Sequence, residues 1–83
     1  MAQFNAYVTV DDNHRLTAES RVYVLTWNGV LDAAVPERAE VGGVMFWPRV
    51  VVALRSIGWR SERGGPFDES EPGRVWFHAV ELP

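Results

Sequence analysis

The 83-residue chain predicts an α+β domain, an antiparallel sheet of four to five strands with one main helix at about 48–57. Three observations carry that expectation. Residues 3–10 alternate apolar and polar side chains; an Asn28-Gly29 pair separates two apolar runs; and a glycine-stopped helical stripe leads directly into a long-looped hairpin.

The alternation places Phe4, Ala6, Val8 and Val10 on one side of a strand and Asn5, Tyr7 and Thr9 on the other. Asp11-Asp12-Asn13-His14-Arg15 follows as a turn, because Asp and Asn side chains bond their own backbone. Residues 21–35 admit two readings. The β-branched and aromatic run 22–27, then Asn28-Gly29, suits a hairpin whose type I′ turn needs positive φ at both central residues. A helix from Thr17, its hydroxyl capping the Ser20 amide and its face made of Val24, Trp27 and Leu31, is the rival. Gly29 would sit inside that helix, which favours the strands.

Pro36 suits the first position of a helical turn over 36–40, which Gly42-Gly43 would end. Pro48 suits the first turn of the main helix, where its missing N–H costs nothing. Val50, Val51, Leu54 and Ile57 then form one stripe, with Gly58 placed to end the helix in a left-handed conformation. Residues 59–63 and 74–81 read as strands. Between them, 64–73 is a loop by its glycines, prolines and charges. One domain, 1–83, accommodates all of this, with no internal repeat.

The pattern Ala53-Leu54-Arg55-Ser56-Ile57-Gly58-Trp59, the arginines after it, and Gly73-Arg74-Val75-Trp76 make residues 49–80 resemble the recognition helix and wing of winged-helix domains. That resemblance implies a DNA-binding regulator with Arg49 and Ser56 facing the major groove, Arg55 beside them, and Arg60 and Arg63 adding positive charge. The departure lies upstream, where a winged helix needs two more helices and strands are expected.

Composition constrains the chemistry. The chain holds no cysteine, which excludes disulfides, thiolate metal sites and cysteine nucleophiles. Its only histidines, His14 and His78, read as a solvated turn residue and a strand residue. Four serines lack a nucleophile motif, and the glycine pairs lack the Lys-Ser/Thr of a phosphate loop. The expectation is therefore a non-enzymatic protein without catalytic residues, metal or cofactor. No apolar run approaches the ~20 residues of a membrane span. Residues 1–7 lack the basic and apolar regions of a signal peptide, so a cytoplasmic protein is expected.

Net charge is −3, with every basic residue an arginine. Residues 47–63 hold four arginines against Glu62 alone, a local +3 in an otherwise acidic chain. A nucleic-acid binder is usually basic throughout, so charge disfavours the DNA reading. The acids Asp68, Glu69 and Glu71 read as a solvated loop tip, or as a contact for a basic surface on a protein partner. On the last strand Trp76, His78 and Val80 face away from Val75, Phe77 and Ala79. Either 36–47, with Met45, Phe46 and Trp47, folds over that second face, or Trp76 and His78 belong to a partner or self-association surface. The expected function is a protein-binding regulator or inhibitor, with nucleic-acid-handling machinery among its candidate partners and room for a homodimer. Its size and acidity are similar to those of small phage-encoded inhibitors, anti-CRISPR proteins among them.

Overall fold

The computed structural model describes residues 2–62 and 69–83. It is an α+β fold: β1 (Phe4–Thr9), β2 (Arg21–Thr26), β3 (Gly29–Ala34), α1 (Phe46–Ser56), β4 (Trp59–Ser61), β5 (Glu69–Glu71) and β6 (Arg74–Glu81). The sheet runs β3-β2-β1-β6-β4, every neighbouring pair antiparallel, and β5 also pairs with β6. β4 and β5 lie along the same edge of β6, on its C-terminal and N-terminal halves.

Alternating direction across five strands leaves β3 and β4 parallel, at opposite edges. Joining them takes a crossover, which α1 provides. Its eleven residues are about 16 Å long, close to the ~19 Å separating the outermost of five strands. The helix therefore crosses one face of the sheet. Under it lies the core: Val50, Ala53 and Leu54 against Ala6, Val8, Val22, Val24, Val75, Phe77 and Ala79. Ile57 packs at the margin, partly buried.

The ambiguous segment 17–35 forms strands β2 and β3 rather than a helix. Ser20 Oγ accepts the Thr17 amide at 2.8 Å, and the Ser20 amide bonds the Thr17 carbonyl, forming a turn that feeds β2. The hairpin turn falls one residue earlier than Asn28-Gly29 suggests. Thr26 pairs with Gly29, leaving Trp27 and Asn28 as the loop. Thr26 Oγ1 accepts the Asn28 amide and donates to the Gly29 carbonyl, and only Gly29 of the pair has positive φ. That closure replaces the type I′ turn.

Three further segments differ from expectation. Residues 36–40 form no helical turn; an Ala39–Gly43 bridge closes a tight loop instead. The helix starts at Phe46, placing Pro48 third in its first turn, because Phe46 and Trp47 pack onto the core. Within 64–73, residues 69–71 pair with β6 across a Pro72-Gly73 turn. Gly73, at φ 83°, supplies the positive φ that a type II turn requires after proline. The two further helices of a winged helix are not found among the described residues.

Candidate protein-binding face

Alternation in the strands decides which residues turn away from α1. Odd positions of β1 and β2 and even positions of β6 all do so. Register then sets them side by side: Tyr23 opposite Tyr7, Tyr7 opposite Trp76, Asn5 opposite His78, and Thr9 opposite Arg74. The result is an aromatic row across three strands on the face opposite the helix.

Its geometry is closely knit. The Tyr7 and Tyr23 rings stack at 4.9 Å, and Tyr7 meets Trp76 at 4.8 Å in a tilted pair. The Arg74 guanidinium lies 4.7 Å from the centre of the Tyr7 ring. Glu71 Oε1 accepts the Trp76 indole N–H at 3.1 Å and sits 3.9 Å from Arg74. At the other end Arg21 pairs with Asp32 at 3.1 Å. Each aromatic contact of this type contributes about 0.5–1.5 kcal/mol, and the cation–π contact about 0.5–1 kcal/mol at an exposed site. The rings are thus held in place while staying half-exposed. Such a surface loses little side-chain entropy when it binds.

Of the residues singled out from sequence, Trp76, His78 and Glu71 come together on this face. Glu69 pairs with Trp76 through the backbone, its side chain lying outside the described residues, as does all of Asp68. His78 is half-buried, and its carbonyl accepts the Glu62 amide at 2.9 Å. The segment 36–47 does not supply the cover considered above. Trp47 meets Phe77 edge-on at 5.6 Å, which puts it on the helix side.

Tyr7, Tyr23 and Arg74 were missed as site residues. Alternation marked Tyr7 as turned from the core, but its contact with Trp76 spans almost the whole chain and depends on register. Trp27 was missed too. It stands 88% exposed at the hairpin tip, edge-on to Phe4 at 5.6 Å, beside a shallow cleft lined by Leu31, Trp59 and Glu81.

Among the described residues, the arginines of the DNA reading, Arg49, Arg55 and Arg60, do not form one surface. Arg49 Nε donates to the Pro36 carbonyl at 2.7 Å, and its NH1 reaches the Val44 carbonyl, so it ties the 36–45 loop to the helix. Arg55 is exposed on α1 beside Val51 and Val52. Arg60 alternates with buried Trp59 and Ser61 and therefore turns to the face opposite α1. Arg63 lies outside the described residues.

The turn at His14 holds itself together. Asp11 Oδ1 accepts the amides of Asn13 and Arg15 at 2.8 and 2.9 Å, with His14 left-handed at φ 59°. Among the described residues no three His, Asp or Glu side chains gather as a metal site, and no helix is long and apolar enough to cross a membrane.

No protein-family model matches this chain, and neither a curated protein nor a solved structure matches it.

Proposed function

We propose that this protein is a non-enzymatic, protein-binding regulator or inhibitor of the cytoplasm, acting by docking the Tyr23–Tyr7–Trp76 face of its sheet onto a protein partner. The observation that carries this reading is the aromatic row itself. Tyrosine, tryptophan and arginine dominate the energetics of protein interfaces, and here three aromatics and Arg74 share one face, pre-positioned by their mutual contacts. The charges beside the aromatic row are paired, Arg21 with Asp32 and Arg74 with Glu71, which suits a partner of mixed polarity. A nucleic-acid platform would need ring faces open for base stacking and a positive surface. Tyr7 is instead engaged by both Tyr23 and Arg74, and the chain is acidic.

Size and acidity, shared with small phage-encoded inhibitors such as anti-CRISPR proteins, make nucleic-acid-handling enzymes the first partners to screen. The test is surface-immobilised binding of purified nucleases and polymerases to wild type, Tyr23→Ser/Trp76→Ser and Arg55→Ser proteins. Binding lost only in the sheet-face variant supports the proposal. A partner that binds all three equally, or that loses affinity only with Arg55→Ser, contradicts it.

A further inference from the structure

The two edges of the sheet are built differently. One consists of two three-residue strands, β4 and β5, carrying exposed Arg60 and ending at Pro72. Short strands, charge and proline are the devices by which proteins keep an edge from pairing. The other edge, β3, is neither short nor interrupted by proline. It runs six residues in unbroken register with β2, contains no proline, and has its single charge, Asp32, tied to Arg21. Five of its six residues are exposed, Val30 at 60% and Leu31 at 40%.

Hydrogen bonding along β3 alternates. In a two-residue hairpin the closing pair, Thr26 and Gly29, exchanges backbone bonds, and so do alternate pairs beyond it. The Val35 amide, bonded to the Ser20 carbonyl at 3.0 Å, continues the same series. Odd residues of β3 are thus committed to β2, while Val30, Asp32 and Ala34 direct their amides and carbonyls outward.

We propose that β3 pairs antiparallel with β3 of a second copy of this chain, making one continuous sheet with the two-fold axis at Leu31. Two-fold symmetry, with both helices on the same side, requires opposed residues to have the same parity. Centring on Leu31 sets Val30 against Asp32 of the copy and Asp32 against its Val30, satisfying the outward groups of both residues. Centring on Asp32 would oppose two like charges, which destabilises a cross-strand pair. Centring on Val30 moves both Asp32 and Ala34 beyond the partner strand, whereas the Leu31 register moves only Ala34. The chosen register also brings Trp27 of each copy level with Val35 of the other. Just beyond Val35 the 36–45 segment exposes Val41 at 83%, Val44 at 73% and Met45 at 65%. Trp27, 88% exposed in the monomer, is thereby brought beside the second copy.

The absence of cysteine makes the test direct. Light scattering on the eluting protein should give twice the 9.4 kDa chain mass. Leu31 faces its own copy at a non-hydrogen-bonded pair, with Cα atoms ~4.5 Å apart, inside the range of a disulfide. The Leu31→Cys protein should therefore become a covalent dimer under mild oxidation. In the Ala34→Cys protein the two thiols would be offset by six residues, roughly 20 Å, and should stay uncrosslinked. Val30→Pro, which removes an outward amide not used by β2, should shift the mass toward monomer. A wild-type monomer at high concentration overturns the proposal. So does a dimer in which Ala34→Cys crosslinks as readily as Leu31→Cys.

Discussion

Leu54 is the side chain on which the helix-to-sheet contact turns. It is fully buried, as is Val50 one helical turn before it, and both sit in one cluster with Val22, Val24 and Phe77. Truncating Leu54 to alanine removes three carbons from a site closed on one side by a rigid sheet, so little collapse can fill the space. The expected cost is about 2–5 kcal/mol. An 83-residue domain holds roughly 4–12 kcal/mol in total, so this is a large share. At about 6 °C per kcal/mol for a domain of this size, Leu54→Ala should lower Tm by ~12–30 °C in differential scanning calorimetry. Arg55→Ala, one residue on but exposed, should move it little. A Leu54→Ala protein melting within a degree or two of wild type would mean that α1 does not seat on the sheet as described.

Four other outcomes are expected. A double-mutant cycle on Tyr7→Ala and Trp76→Ala, read by urea unfolding, should give a coupling of about 0.5–1.5 kcal/mol; additive effects would show that the aromatic row is not formed. Gly58→Ala should cost ~1–2 kcal/mol through its left-handed backbone alone, since at φ 82° an added Cβ meets no atom within 4 Å. Gly42→Ala should cost more, because that Cβ would lie 2.5 Å from Pro48 Cγ. Fluorescence anisotropy should detect no binding to duplex DNA near physiological salt; micromolar affinity with a log–log salt slope near −3.6, the value for four phosphate contacts, would restore the arginine-face reading.

How far the sequence reached depended on how local each signal was. The alternation of 3–10 and the stripe of Val50, Leu54 and Ile57 are set by neighbours a few residues apart, and both elements formed, the helix beginning two residues earlier than expected, at Phe46. The hairpin was legible but its turn was not, because the Thr26 hydroxyl captures the backbone around Trp27 and Asn28 and shifts the closing pair. β5 was hidden because Pro72 and Gly73 mark a turn equally well inside a loop or between two strands. Only pairing with β6 tells them apart. The candidate face was half visible. Trp76 and His78 stood out on the last strand, whereas Tyr7 and Tyr23 join them through a register that no local pattern encodes.

The central claim is that partners meet the sheet face opposite the helix. A photo-crosslinking amino acid placed at Tyr23, and separately at Arg55, tests it in the cells from which the gene comes, with adducts resolved by mass spectrometry. The account predicts a discrete protein adduct from position 23, lost when Trp76→Ser is added, and none from position 55. A protein adduct from position 55 but not 23, or a nucleic-acid adduct at either, would contradict it.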